Sequence, residues 1–219
     1  MKSTLYLASA SPRRHELLNQ IGIEHEILHV PSPPGEDEPR LETESPLQYV
    51  QRTAFDKAIR AQSWAVEKKL VIANTHDNIA ILTADTTVAL GNIILGKPKD
   101  EQDAKEILRM LSGQTHIVYT AVVLTRTSTY RSDISVQQDT ESRIHWIQTK
   151  ALSTTKVSFS AISEVLIQEY LATKEAFGKA GAYGIQGHAA KFIQRIEGSY
   201  SGVMGLPLYE TSELIRDVG

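Results

Sequence analysis

The chain has 219 residues, 41% hydrophobic and 22% charged, enough for one large domain or two lobes around a shared core. Its net charge of −3 argues against a broad nucleic-acid-binding face, which needs excess Lys and Arg, but leaves room for a local basic site. There is no cysteine, which removes disulfides, thiolate nucleophiles and Cys-based zinc sites together and fits a reducing compartment. No apolar stretch is long enough for a signal peptide or a membrane span, so a cytoplasmic protein without a membrane partner is expected.

In chain order, residues 5–8 read as a buried strand and 11–21 as a helix. Ser11 is its N-cap, Pro12 sits at N1, Leu17, Leu18 and Ile21 share a stripe, and Gly22 is the stop. Arg13 and Arg14 stand in the first turn, where the helix dipole favours acids. Either both point into water, or helix N–H groups, Ser9, Ser11 and two guanidiniums surround an anion. Residues 24–30 read as a second strand and 31–40 as a Pro-rich acidic loop. From Ser45 a long helix runs to about Lys69, with Val50, Ala54, Ala58, Ala61 and Ala65 three or four apart. Lys57 falls on that stripe, so it either snorkels to water or reaches inward toward phosphate.

Residues 74–78 punctuate, and 79–90 read as an apolar strand whose middle is interrupted by Asp85, Thr86 and Thr87. A buried Asp is costly unless paired, hydrogen-bonded or metal-bound; here it either bonds local backbone or carries chemistry. Residues 92–96 read as a hairpin return, which brings Lys97, beside the rigid Pro98, toward the same cleft. Residues 100–112 form an amphipathic helix that begins with acids and stops at Gly113. A strand at 115–126, a polar hairpin tip at 127–148, a returning strand at 151–163 and a helix at 164–174 follow. The Gly-rich run 178–190 carries Lys179 and Gln186. It is either a flexible turn or a place where backbone approaches a ligand and Gln186 reads a base edge. It matches neither GxGxxG nor a Walker A loop. A strand at 191–197 and a helix at 207–216 close the chain. Seven histidines show no HExxH spacing, and none is assigned to a metal. The alternation predicts an α/β fold, with no internal repeat and no interdomain linker.

Six segments, ASASPRR (8–14), ADTTV (84–88), GKPKD (96–100), LSGQTHIVYTAV (111–122), KAGAYGIQG (179–187) and GSYSGVMGLPL (198–208), stand in the order and approximate spacing of the Maf family. The chain resembles these house-cleaning nucleoside triphosphate pyrophosphatases, also called septum-formation-inhibitor-like proteins, over nearly its whole length. AYGIQG resembles the branch acting on dTTP and UTP rather than on 7-methyl-GTP. The resemblance implies an elongated mixed sheet with flanking helices of the inosine-triphosphatase-like type. Residues 1–219 then form a single domain of two lobes around one central cleft, often a homodimer.

By position, the resemblance makes Asp85 the general base and gives nucleotide choice to Arg13, Thr86 and Gln186. It places Ser9, Ser11, Arg14, Lys57, Lys97 and Lys179 around the phosphates. It adds Mg²⁺ or Mn²⁺ at Asp85 with an acidic loop residue, Glu38, for which Glu36 and Asp37 are rivals. One departure is the stretch 127–150, longer than the compact family pattern and read as an extended hairpin insertion. The implied reaction splits the α–β phosphoanhydride. The alternatives are a hydrolase for another modified nucleotide or a non-catalytic nucleotide-binding regulator of cell division.

Overall fold

Alternating apolar residues and strong turn signals lay the chain out as strands and helices in this order: β1 (Thr4–Leu7), α1 (Pro12–Gln20), β2 (Glu26–Ile27), α2 (Pro46–Glu67), β3 (Ile79–Leu90), β4 (Ile93–Leu95), α3 (Glu101–Leu111), β5 (Thr115–Ser128), β6 (His145–Phe159), α4 (Glu164–Ala172), β7 (Ile193–Glu197), α5 (Tyr200–Met204) and α6 (Leu208–Ile215). Two 3₁₀ turns, Ala180–Ala182 and His188–Phe192, lie between α4 and β7. The structure is a computed structural model and describes residues 4–33, 38–71, 79–128 and 145–216. The punctuation at 74–78, the rivals Glu36 and Asp37 and residues 129–144 of the hairpin tip expected at 127–148 lie outside the described residues.

The strands form one mixed sheet in the order β2-β1-β3-β5-β6-β7, with β4 also paired to β3. One edge of β3 is continuous, since residues 80–89 pair antiparallel with β5. The other edge is divided. Residues 79–82 pair parallel with β1, and residues 88–90 pair antiparallel with β4. Between them, among the described residues, 83–87 have no strand on that side. The chain leaving β1 turns away there after one more bond, Ala8 N–H to Leu82 O at 2.9 Å. Asp85 and Thr86 therefore face a break in the sheet, the kind of divergence that makes a crevice in open α/β sheets.

Alternation along β3 sends Ile81, Thr83, Asp85 and Thr87 to one face and Leu82, Ala84, Thr86 and Val88 to the other. The first face is covered by α2, whose alanines at 54, 58, 61 and 65 are all buried and let the helix lie close. The second face carries the larger core with α1, α3 and α4. The start of α2 is fixed by a Ser45–Gln48 capping box and Pro46 at N1. Among the described residues, no helix is long and apolar enough to cross a membrane.

Several boundaries differ from expectation for identifiable reasons. β2 shrinks to two residues, Glu26 and Ile27, which pair parallel with Tyr6 and Leu7 of β1. β3 is not broken by Asp85, whose backbone pairs with Ala121 while its side chain finds partners. β5 and β6 run past 126 and begin before 151, pairing out to Ser128 and His145, because polar side chains cost a solvated ladder little. The five-residue α5 is too short to show a period.

His116 is fully buried in β5, its ring edge-on to Phe159 and Tyr183 and its Nε2 2.8 Å from the Tyr183 hydroxyl. Burial pushes the imidazole down to about 4 from 6.5. Between those values the unfolded chain binds a proton that the folded chain does not, so this group's contribution to stability is full above pH 6.5 and falls as pH drops. The loss reaches about 3 kcal/mol by pH 4. In denaturant titrations from pH 7 to 4, His116→Asn should lose less stability than the wild type by about that amount.

Candidate active site

The break in the sheet beside β3 opens into a cleft of about 490 Å³. Asp85 is its one lining carboxylate and is almost completely buried. Its Oδ2 accepts from the Thr53 hydroxyl of α2 at 2.8 Å and, more weakly, from Thr87 at 3.4 Å; its Oδ1 accepts from the Lys57 ammonium at 2.6 Å. A carboxylate has about four lone-pair sites, so one remains for a ligand or a water. Lys57 does not snorkel away. Its ammonium sits between Asp85 and Glu38 Oε1, the second contact being 2.7 Å. Glu38 is not a lining residue and meets the cleft through Lys57. Its Oε1 is buried and has no well-directed hydrogen bond.

The first-turn arginines of α1 divide their work. Arg14 turns inward and spends its donors on the protein: Nε to Gly205 O at 2.8 Å, Nη1 to Ser9 Oγ at 3.1 Å and Nη2 to Thr86 Oγ1 at 3.4 Å. Burial pulls it below its ordinary value, the Asp85 and Glu38 charges oppose that, and Arg13 adds to it. Arg13 lines the cleft and makes no hydrogen bond among the described residues. Ser11 is the N-cap, yet its hydroxyl caps nothing; its backbone N–H goes to Ser9 Oγ at 3.2 Å. Thr86 Oγ1 is also 3.0 Å from Thr120 Oγ1, which donates to Gly202 O at 2.7 Å, tying α1, β3, β5 and α5 together.

The opposite wall comes from β4 and the Gly-rich segment. Lys97 follows β4 as expected, lines the cleft and likewise makes no hydrogen bond among the described residues. Lys179 and Gln186 line it from the Gly-rich segment. The Lys179 ammonium donates to the Glu175 carbonyl; burial and then the Arg13 charge lower its affinity for a proton, and the Glu175 charge opposes them. All ten residues expected around one cleft line it, and Glu38 joins through Lys57.

The sequence reading missed Thr53, Arg60 and the Gly205 carbonyl. Thr53 and Arg60 lie four residues before and three after Lys57, so the helical period already put them on one face. Arg60 lines the cleft, its only described anionic neighbour being Glu38 Oε1 at 3.8 Å. The Gly205 carbonyl carried no sequence signal, since its role depends on a chain reversal after α5.

Replacing Lys57 by Met leaves two carboxylates facing each other without their shared cation. At pH 7 the cost should be about 2 kcal/mol, below that of a fully buried pair because Lys57 keeps some solvent. Adding Glu38→Gln to that variant should recover part of the loss, as read by urea denaturation.

Residues 4–218 match the family described as Maf-like protein. A dTTP/UTP pyrophosphatase of Bordetella parapertussis is 47% identical over 215 residues, covering 98% of this chain and 92% of that protein. Similar proteins of the same name come from Cupriavidus metallidurans, 46% identical across 100% of this chain and 98% of the relative, and from Nitrosomonas europaea, 46% identical across 98% and 94%. Matches that run from β1 to the end of α6, and so take in every segment lining the cleft, mean that this chain belongs to the Maf family.

Proposed function

We propose that the protein is a nucleoside triphosphate pyrophosphatase that hydrolyses dTTP and UTP to the monophosphate and pyrophosphate. One observation carries the reading: six cationic side chains and a single carboxylate line one cleft of a protein whose net charge is −3. Such a surplus suits a polyanion. The cavity volume lies in the range of small-molecule sites, and relatives across the whole chain carry the name dTTP/UTP pyrophosphatase.

In this reading Ser9, Ser11, Arg14, Lys57, Lys97 and Lys179 surround the phosphates. The unspent donors of Lys97 and Arg60 grip oxygens directly, while Arg14 and Lys57 supply fixed charge. Arg13, Thr86 and Gln186 meet the base. Asp85 takes a proton from a water whose oxygen attacks the α-phosphorus; the bond from that phosphorus to the bridging oxygen breaks, and pyrophosphate leaves with the electron pair. Phosphoryl transfer asks mainly for positioning and charge neutralisation, which this arrangement provides before substrate arrives.

The residues also fit a hard divalent cation. Asp85 and Glu38 turn oxygens toward one cationic point, and Glu38 Oε1 is buried without a directed hydrogen bond. Among the described residues no group of three or more such ligands exists, so substrate phosphates and water would complete the shell, as is usual for Mg²⁺. When bound, Mg²⁺ or Mn²⁺ would neutralise phosphate charge and lower the pKa of a coordinated water.

The test is pyrophosphate release from a panel of nucleoside triphosphates. dTTP and UTP should lead and 7-methyl-GTP should trail. Asp85→Asn should lower kcat by about 10²–10⁴-fold while UTP binding, read by calorimetry, stays within about threefold. Full turnover by Asp85→Asn would remove the general-base role. UTP binding without turnover by the wild-type protein would leave only a nucleotide sensor.

A further inference from the structure

Behind the Gly-rich segment lies a carboxylate that does not itself line the cleft. Glu175, just past α4, has its carboxylate wrapped by the chain that follows. Its Oε1 accepts from the Tyr170 hydroxyl at 3.1 Å and, at 3.5 Å, from the Ala189 N–H; its Oε2 accepts from the His188 N–H at 2.7 Å. Its own carbonyl accepts from the Lys179 ammonium. The fit leaves no spare room. A Cβ on Gly184 would lie 3.3 Å from Oε1, and a Cβ on Gly187 would land on the carboxylate itself. The backbone on both sides of Gln186 is thus moulded around one side chain. The amide of Gln186 makes no hydrogen bond among the described residues, so only its backbone aims it.

We propose that Glu175 is a positioning residue for base selection: its carboxylate fixes the backbone flanking Gln186 and its carbonyl holds Lys179, so that the Gln186 amide meets the nucleotide base at one setting. This rests on the reading of the cleft as a pyrophosphatase site with Gln186 at the base. Hydrogen bonds from backbone N–H to a carboxylate are among the stronger ones, and they act here on a run whose glycines would otherwise leave it loose. Discrimination by hydrogen bonds to a base edge needs donors and acceptors held within about 0.5 Å.

Glu175→Gln keeps the length of the side chain but offers one acceptor oxygen, and its amide would oppose an N–H donor. In the full-length protein its KM for UTP should rise about tenfold with kcat within about threefold, and the preference for UTP over ATP should fall about tenfold. Gly187→Ala keeps every polar group and asks for no left-handed backbone (φ −104°), yet its Cβ displaces the carboxylate, so it should reproduce the phenotype. That variant decides the matter if Glu175→Gln is not folded at the assay temperature. In a Gln186→Ala background neither substitution should lower the preference further, which a merely structural role would not produce. Undiminished UTP preference in folded Gly187→Ala, or losses that add fully to Gln186→Ala, would overturn the positioning role alone. No pyrophosphate from UTP with the wild-type protein would overturn the proposed function and this role with it.

Discussion

The site depends on a strand that is paired along one edge and divided along the other. On its closed edge β3 is paired to β5 over ten residues, which holds the backbone of Asp85 and Thr86 in register with Ala121 and Thr120. On its divided edge β1 pairs only as far as Leu82 and β4 only from Val88, leaving residues 83–87 facing a gap among the described residues. Because neighbouring side chains on a strand point to opposite faces, this gap lets both faces contribute to one cavity. Asp85 comes from the α2 face with Thr53 and Lys57, and Thr86 from the other face with Arg14. In an uninterrupted sheet those two groups would be separated by the sheet itself.

The electrostatics follow from that geometry. A buried carboxylate inside an apolar strand is costly, and Lys57 offsets the cost from the α2 face while sharing itself with Glu38. Arg14 answers the question its position raises: a guanidinium in the first turn of a helix opposes the dipole, and three bonds to the protein outweigh a penalty of roughly 0.3–1 kcal/mol. Among the described residues Arg13 and Lys97 have no such return, and Arg60 has only the longer contact to Glu38 Oε1 at 3.8 Å. Their proximity is unfavourable until an anion arrives, so a bound polyanion should stabilise the folded state as well as occupy it.

Much of this was legible in the sequence because it was written in local chemistry. Ser45, Pro46 and Gln48 announce α2, Asp100 and Gly113 bracket α3, and the hairpin return to Lys97 shows in residues 92–96. Placing the cleft residues together rested on the family resemblance, since no spacing rule connects position 14 to position 205. What stayed hidden was of that kind: the Gly205 carbonyl under Arg14, and Glu175 under Gln186. Thr53 and Arg60 are different. The helical period already places them beside the alanine stripe, on the same face as Lys57.

Two kinds of order meet in the cleft. Asp85, Arg14 and Lys57 sit on helices and a central strand and are fixed by bonds to other elements. Gln186 stands on a glycine-rich run between two 3₁₀ turns, the least regular part of the wall. Phosphates are the same in every nucleoside triphosphate, so Arg14 and Lys57, which would supply fixed charge to them, suit the rigid frame. Bases differ, and a loop can change its reading residue without disturbing the sheet. A loop in that role discriminates only as well as it is held, and the carboxylate of Glu175 grips this loop from behind. Through Gln186 the clamped loop would add to the selection that Arg13 and Thr86 make from α1 and β3, and it lines the same cleft as the residues that face the break in the sheet beside β3.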